Sequence, residues 1–321
     1  MTALSMAEFL ATNQSMSKAT LGLQLAWDST SLGAFKTCPR KYQLSILQGW
    51  RHRHEATPLT FGIHIHSALE TYDKLRATGH AHESAVRGAV RHALEITGAR
   101  VDGKWLPWVS DDSYRNRQTL IRSIIWYFEQ FSAEDPCETL ILSNSKPAVE
   151  LSFRIPLDHV SATGEAMWLC GHLDRVVRFA DQVWVLDRKS TKSQLGDYFF
   201  SQFSPDNQMS CYAVAGHTVF SIPVRGIIID GIQVGVGFTR FQRGFALRTP
   251  DQIHEWFSEL PIWLAQAESY ARSGSWPMND TSCSKYGGCV FQGICNKDPK
   301  VRDSFLQTDF VQKVWDPIQS R

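Results

Sequence analysis

The sequence lacks the features that place a protein in a membrane or outside the cell. No run of roughly eighteen apolar residues occurs, and the N-terminal MTALSMAEFLATNQS has no basic stretch before an apolar core. Excess charge is lacking too, since 33 Lys and Arg against 32 Asp and Glu leave a net charge of +1. We therefore expect a cytoplasmic protein without membrane contacts, and any affinity for nucleic acid must come from local patches.

Close cysteine pairs of the CxxC type, which zinc ribbons use, are also missing. Seven cysteines, an odd number, fit a disulfide framework poorly. Cys283, Cys289 and Cys295 instead recur with five residues between neighbours in a loop-like segment, so their thiolates can converge on a metal. Cys38, in the break CPRK, is the candidate fourth ligand, and unrelated free thiols are the alternative. The other cysteines lie in contexts typical of buried thiols: Cys137, Cys170 and Cys211.

What the sequence does contain is a stretch dense in charged residues, GHLDRVVRFADQVWVLDRK, at residues 171–189. Two β-branched runs flank a polar break at residues 180–182, which predicts an antiparallel hairpin. With the turn in this break, Asp174 lies opposite Asp187, and their side chains are about 5 Å apart. Lys189 points to the same side as Asp187 because side chains alternate along a strand.

The predicted hairpin brings two carboxylates close together, and two ionised carboxylates repel each other unless a cation lies between them. A hard divalent metal with oxygen ligands, Mg²⁺ or Mn²⁺, resolves this repulsion. A surface hairpin with solvated ion pairs is the alternative.

Helical and strand patterns surround this hairpin. Periodicity predicts helices at 58–77, 83–97 and 114–133, a helix from about 205, and a long helix at 251–272 that contains Pro261. Strands are predicted at 148–155, 226–234 and 236–247. The helix at 58–77 carries His66, and Gln208 and Tyr212 lie one turn apart on the helix from 205. A packed or surface histidine and an ordinary exposed helix face are the alternatives.

A basic and aromatic run follows the CPRK break. Its side chains could contact phosphates and stack on a base, whereas a solvated loop is the alternative. The candidate DNA-contacting residues are Arg40, Lys41, Trp50, Arg51 and Arg53.

These elements, taken together, resemble the RecB-like branch of the PD-(D/E)XK nuclease superfamily. The parts occur in the family's order over residues 31–295: SLGAFKTCPRKYQL, FGIHIHSALETY, GHLDRV, VLDRKS, QMSCY and the C-terminal cysteines. The resemblance implies an α/β fold with a restriction-endonuclease-like core, in which helices flank a central mixed β-sheet. An N-terminal helical region and a cysteine-clamped iron-sulfur subdomain would complete it.

The resemblance also implies roles for individual residues. Metal would be bound by the side chains of His66, Asp174 and Asp187, together with the backbone carbonyl of Arg188. Lys189 would orient or activate the attacking water and offset charge on the scissile phosphate.

Further residues match supporting positions of the family. Gln208 and Tyr212 match residues that support the active site and contact the DNA strand. A 4Fe-4S cluster would be held by Cys38, Cys283, Cys289 and Cys295. Zinc is the alternative metal, because the first C-terminal spacing is longer than the CxxC of some members.

We expect four segments along the chain. They are a variable lead-in at 1–28, a helical region at 29–140 that contributes Cys38 and His66, the nuclease core at 141–250, and a C-terminal helix with the iron-sulfur cysteines at 251–321.

The leading interpretation of this organisation is a Mg²⁺- or Mn²⁺-dependent DNA exonuclease. It would hydrolyse phosphodiester bonds at DNA ends or in single strands during recombination, repair or phage DNA processing, with a helicase or recombination partner and in an oligomer. Two alternatives remain open. One is a catalytically inactive DNA-binding or assembly protein on the same fold, and the other is a zinc-stapled nucleic-acid module.

Overall fold

The computed structural model describes residues 21–53, 56–131, 134–220, 224–284, 288–313 and 315–318. The strands are β1 (Ala26–Trp27), β2 (Trp50–His52), β3 (Gly98–Val101), β4 (Lys104–Pro107), β5 (Glu138–Thr139), β6 (Val149–Val160), β7 (Ala166–Phe179), β8 (Gln182–Thr191), β9 (Val224–Val234), β10 (Thr239–Ala246) and β11 (Phe310–Gln312). The α-helices are α1 (Ser29–Thr37), α2 (Pro39–Tyr42), α3 (Thr57–Ala77), α4 (His82–Ile96), α5 (Arg117–Gln130), α6 (Asp197–Ser201), α7 (Asn207–Phe220), α8 (Pro250–Ser273), α9 (Gln292–Cys295) and α10 (Arg302–Asp309). None of the described helices is long and apolar enough to span a bilayer.

A mixed sheet is the centre of the fold. Strands β1, β7, β8, β9 and β10 follow one another across it, and β5 and β6 also pair with β7. The pairs β1–β7 and β8–β9 are parallel, whereas β7–β8 and β9–β10 are antiparallel. Helices α3, α4 and α5 pack an apolar core against β9. The expected α/β fold with a central mixed sheet flanked by helices is therefore confirmed.

The central hairpin has the predicted register. Strands β7 and β8 are joined at residues 180–181, which both have positive φ, as a tight two-residue hairpin turn requires. Arg175 pairs with Leu186, so the next step along the ladder brings Asp174 beside Asp187. The polar break and the two apolar runs were sufficient to predict this pairing.

Two predicted elements begin later than their periodicity indicates, and each has a local cause. Helix α5 starts at Arg117 rather than at residue 114, because Asn116 and Thr119 form a reciprocal N-terminal cap. Strand β10 starts at Thr239, since the backbone N–H of Gly235 donates to the carbonyl of Phe238 across the preceding turn.

The last residues of the lead-in expected over residues 1–28 lie in the described part of the chain. Residues 1–20 lie outside the described part of the chain. Leu23, Leu25 and Trp27 are buried, and β1 pairs in parallel with β7 at Trp168 and Leu169. The short apolar run therefore belongs to the core, because its side chains cannot remain exposed without cost.

The chain divides into two compact units. The first comprises Met1–Glu55, Ser152–Gly171 and Thr249–Arg321, and it contains Cys38 and the three C-terminal cysteines. Stacked and edge-on aromatic rings of Trp27, Phe35 and Tyr42 lie at its centre.

The second unit comprises Ala56–Leu151 and His172–Arg248. It contains all the candidate active-site residues implied by the resemblance. Its core joins α3, α4 and α5, with Phe61, Leu69 and Phe128 nearly free of solvent contact. The four expected segments remain a prediction.

Candidate active site

Three elements bring four of the implied residues together in the second unit. His66 lies on α3, Asp174 on β7, and Asp187 and Lys189 on β8. His66 Nδ1 is 3.2 Å from Asp174 Oδ2, and Lys189 Nζ is 2.7 Å from Asp187 Oδ2. Residues separated by more than a hundred positions in the chain therefore share one site.

Asp174 is tied to the neighbouring strand as well as to the histidine. The backbone N–H of Arg188 donates to Asp174 Oδ2 over 3.1 Å. Burial alone would raise the pKa of Asp174, but His66, Lys189 and this amide lower it below its usual value. In turn, Asp174 outweighs the effect of burial and raises the pKa of His66.

The pKa of Asp187 is shifted in the opposite direction to that of Asp174. Only 1% of its side chain is exposed, and its Oδ1 has no hydrogen-bond partner among the described residues. Burial, with the nearby charge of Asp174, raises the pKa of the Asp187 carboxyl to about 6 in spite of Lys189. A buried carboxylate oxygen of this kind is able to accept a cation as its partner.

Lys189 is the first member of a short hydrogen-bond chain that continues along α7. Its Nζ donates to Gln208 Oε1 over 2.8 Å, and Gln208 Nε2 donates to the hydroxyl of Tyr212 over 2.8 Å. Asp206 fixes the start of this helix, because its Oδ1 accepts from the backbone N–H groups of Gln208 and Met209. The one-turn spacing of Gln208 and Tyr212 predicted that they would share a face, and they do.

The charges of Asp187 and Asp174 raise the pKa of Lys189 although burial opposes this, so the lysine is a cation at neutral pH. The side chains of His66 and Lys189 retain 28% and 27% of their surface, whereas Asp187 is closed off. The site therefore opens to solvent beside the histidine and the lysine, where a substrate can approach.

The donor chemistry of this site suits Mg²⁺ or Mn²⁺. Within the described ranges, no three Cys, His, Asp or Glu side chains are arranged to hold a metal ion as they stand. Two carboxylates and an imidazole nevertheless lie together, and Asp187 Oδ1 has a free position. Oxygen and imidazole donors of this kind are those that Mg²⁺ and Mn²⁺ accept in proteins.

A second set of charged residues was missed by the sequence analysis. Asp73 lies on α3 two turns beyond His66 and contacts the guanidinium groups of Arg175 and Arg188. The spacing of seven residues, which places both side chains on the same stripe of a helix, is the signal that could have identified it. Nothing in the sequence shows that the two arginines are buried.

The four implied cluster ligands all belong to the first unit. Cys38 is buried, whereas Cys283, Cys289 and Cys295 are half-buried. Burial, and then Cys289 and Cys38, raise the pKa of Cys283. The pKa of Cys295 is also raised, by burial and by Cys289 and Cys38, although Arg40 and Arg302 oppose this. The backbone N–H of Asn279 also donates to Cys38 Sγ over 3.4 Å, a contact of the kind that metal-bound sulfurs receive.

The candidate DNA-contacting residues already make contacts inside the first unit. Arg40 and Arg53 donate from Nε to backbone carbonyls over 2.8 Å. Arg51 lies 5.3 Å from the centre of a tryptophan ring, and Trp50 packs on an apolar cluster. Lys41 is half-buried on α2. Contact with DNA stays a prediction for these five residues.

Two paired acids with an adjacent lysine on a mixed sheet are the arrangement of a nuclease active site. A family model described as the PD-(D/E)XK nuclease superfamily matches residues 27–296, which is most of the chain. The chain belongs to this superfamily.

Individual proteins are less similar to the chain than the family model is. No curated protein matches the chain. Among solved structures, a candidate exonuclease from Eubacterium rectale is similar at 11% identity and a TM-score of 0.47, over 93% of this chain and 95% of that chain.

Proposed function

We propose that this nuclease is a Mg²⁺- or Mn²⁺-dependent DNA exonuclease acting on DNA ends or single strands. The observation that carries the proposal is the buried pair Asp174 and Asp187 with Lys189 beside it. Membership of the nuclease superfamily supports phosphodiester hydrolysis. Action at ends, the RecB-like branch and a recombination or repair setting rest on the sequence resemblance alone. A helicase partner, an oligomer and a cytoplasmic location likewise stay predictions.

The proposal assigns the metal to His66, Asp174, Asp187 and the backbone carbonyl of Arg188. A bound Mg²⁺ or Mn²⁺ supplies a Lewis acid for the scissile phosphate and lowers the pKa of water. Lys189 donates a hydrogen bond to Gln208 and forms an ion pair with Asp187, while part of its surface stays exposed. Its ammonium group is thus held in one orientation, from which it can contact an attacking water or a phosphate oxygen.

Gln208 and Tyr212 act in this scheme by holding the lysine. Gln208 offers Lys189 a neutral acceptor, so the ammonium group is positioned without a further negative charge near the phosphate. Tyr212 in turn orients the amide of Gln208 through its hydroxyl. A direct contact between these two residues and the DNA strand stays a prediction.

We further propose that the thiols of Cys38, Cys283, Cys289 and Cys295 hold a structural 4Fe-4S cluster. The support is their spacing, their common unit, and the effect of Cys38 and Cys289 on the pKa of Cys283 and of Cys295. Because the cluster would join residue 38 to residues 283–295, it would close a long loop and stabilise the fold. Iron, sulfide and zinc analysis of anaerobically purified protein tests this, since brown protein containing iron supports it and colourless protein containing zinc rejects it.

The experiment that tests the nuclease proposal is cleavage of single-stranded and duplex DNA labelled at either end. Asp187→Ala and Lys189→Ala should each abolish cleavage in Mg²⁺ and Mn²⁺ while the circular dichroism spectrum is retained. The matched controls are Asp158→Ala and Lys146→Ala, which remove an exposed acid and an exposed lysine of the same types. Both controls should cut as the wild type does.

The labels also distinguish the kinds of activity. Release of the label as a mononucleotide, or labelled products that shorten one nucleotide at a time from the unlabelled end, supports an exonuclease, whereas internal cuts in a closed circle reject it. Undiminished cleavage by Asp187→Ala or Lys189→Ala rejects the site. A wild type that binds DNA but never cuts it favours the inactive DNA-binding protein.

A further inference from the structure

The residues that follow the two catalytic acids face the opposite side of the sheet. Arg175 comes directly after Asp174, and Arg188 lies between Asp187 and Lys189. Because strand side chains alternate, both guanidinium groups point away from the active site. They are 7% and 2% exposed, so the reverse side of the site is a buried, charged layer rather than an apolar one.

Asp73 lies at the meeting point of these two arginines. Its Oδ2 is 2.6 Å from Arg188 Nη2, and its Oδ1 is 3.4 Å from Arg175 Nη1. Asp73 itself is 1% exposed. A single carboxylate therefore holds together the strands that carry the two catalytic acids, one oxygen for each strand.

Asp73 also extends this connection to the histidine. It shares α3 with His66, and seven residues separate them, which is two helical turns. Near its middle α3 contacts Asp174 through His66, and two turns further on it contacts Arg188 and Arg175 through Asp73. The position of α3 against both strands is thus set at two points.

Arg188 connects the two faces within one residue. Its backbone N–H donates to Asp174 Oδ2 over 3.1 Å, while its side chain contacts Asp73 on the other side. A shift of the Arg188 backbone would therefore disturb both contacts, and with them the positions of Asp187 and Lys189. Its backbone carbonyl is also one of the proposed metal ligands.

The remaining charges of this layer form a continuous network. Arg175 is 3.6 Å from Asp135, which in turn binds Arg243 at 2.6 Å, and Arg243 is 3.4 Å from Asp230. Tyr127 donates its hydroxyl to Asp230. Asp135 thus belongs to the same network as Asp73, but its ion pairs are with Arg175 and Arg243 and not with Arg188.

We propose that Asp73 is a positioning residue that sets the metal affinity of the active site. It does so by fixing Arg188 and Arg175, and through them the spacing of Asp174, Asp187 and His66. The inference rests on the proposed function in one respect, namely that these residues bind a divalent metal. Groups that hold metal ligands in place change metal affinity when they are removed, even though they never touch the ion.

The test compares Asp73→Asn with Asp135→Asn. Each substitution removes one carboxylate from the same network at nearly constant volume, but only the first removes the carboxylate that lies 2.6 Å from Arg188. Mn²⁺ binding to each DNA-free protein is measured by calorimetric titration, and unfolding by urea is measured in parallel. We expect the Kd for Mn²⁺ to rise roughly 10- to 100-fold in Asp73→Asn. It should change much less in Asp135→Asn, which takes one partner from Arg175 but leaves Asp73 bound to Arg188, although both variants lose stability.

Cleavage assays give a second readout. The Mn²⁺ concentration for half-maximal cleavage should rise by the same factor in Asp73→Asn, while the KM for DNA stays at the wild-type value. If Asp73→Asn does not fold, Arg188→Lys takes its place. It keeps the positive charge but loses the planar fork of donors, so the same weakening of Mn²⁺ binding is expected.

Two results overturn the inference. One is unchanged Mn²⁺ affinity in Asp73→Asn, or in Arg188→Lys where that variant replaces it. The other is a loss of affinity in Asp135→Asn as large as that in Asp73→Asn, which would show a general effect of instability. Wild-type protein that binds Mn²⁺ but cuts no DNA rejects the proposed nuclease and leaves this inference testable by titration. Wild-type protein that binds no Mn²⁺ rejects both.

Discussion

Replacing Gln208 by leucine tests whether Lys189 needs a fixed orientation. The side chains are similar in size, so the change removes the amide with little loss of packing volume. In the native site Lys189 Nζ donates to Gln208 Oε1 over 2.8 Å and lies 2.7 Å from Asp187 Oδ2. In Gln208→Leu the ammonium group keeps only the carboxylate as a partner and can turn around it.

The size of the effect follows from the type of hydrogen bond that is lost. A hydrogen bond from a charged donor contributes about 1.5–3 kcal/mol. If this energy holds the lysine in its reactive orientation, kcat should fall by roughly 10- to 150-fold, since each 1.4 kcal/mol is a factor of ten. The KM for DNA should change little, because the proposed role of Lys189 is at the reacting phosphate.

Tyr212→Phe is the matched control for this variant. It removes the hydroxyl that accepts from Gln208 Nε2 but leaves the contact between Gln208 and Lys189 intact. A neutral hydrogen bond contributes about 0.5–1.5 kcal/mol, so a fall in kcat of roughly two- to tenfold is expected. Single-turnover cleavage of an end-labelled oligonucleotide measures both variants. Full activity in Gln208→Leu, or an equal loss in Tyr212→Phe, would refute the reasoning.

Three further outcomes are expected from the surroundings of the site. Gly231→Ala should lower the free energy of unfolding in urea by about 1–3 kcal/mol, because its Cβ would lie 3.1 Å from a backbone carbonyl oxygen and 2.9 Å from a leucine methyl. Gly33→Ala, on α1 with no atom within 4 Å, should instead be stabilising. Burial opposes ionisation of Asp135, yet Arg243 lowers the pKa of Asp135 below its usual 3.8. This carboxylate therefore stabilises the fold above about pH 4, and the stabilisation is lost as the pH falls through its native pKa. The stability difference between the wild type and Asp135→Asn should therefore shrink in urea titrations below pH 4, and a constant difference would contradict it. Burial raises the pKa of Cys137 to about 11, so mass spectrometry should find this thiol alkylated by iodoacetamide only after unfolding.

Elements with strong local signals could be predicted from the sequence. The hairpin of β7 and β8 combines β-branched runs with a short polar break, and its register followed from the position of the turn. Helix α3 was predicted within one residue, because a proline near its start and regular apolar spacing define it. The start of α5 was predicted three residues too early, because Asn116 and Thr119 cap the helix through side-chain geometry that periodicity does not encode.

The candidate site could be predicted only where its residues are close in sequence or match a known family. Asp174, Asp187 and Lys189 lie within sixteen positions, so the pairing of two strands brings them together. His66 required the family resemblance, because the periodicity of a helix does not show which strand it crosses. The contact of His66 with Asp174 depends on tertiary packing of α3.

Asp73 is the clearest example of a residue whose burial could not be predicted from the sequence. On a helix surface an aspartate is usually solvated, and nothing in the residues around it indicates 1% exposure. Its burial becomes favourable only because two arginines from different strands meet it. That balance of charges is a property of the assembled sheet and helix, not of any segment alone.

The two faces of the sheet differ in how their charges are balanced, and this difference bears on where a metal would bind. On the reverse face, Asp73, Asp135 and Asp230 are matched by three arginines, Arg175, Arg188 and Arg243. On the catalytic face, Asp174 and Asp187 have one lysine, and His66 adds positive charge only when it is protonated. A divalent cation would therefore lower the energy of the catalytic face and raise that of the reverse face, because only the former lacks positive charge. The arginines thus neutralise the acids of the reverse face, and the buried carboxylates beside Lys189 are the acids at which the proposed metal would bind.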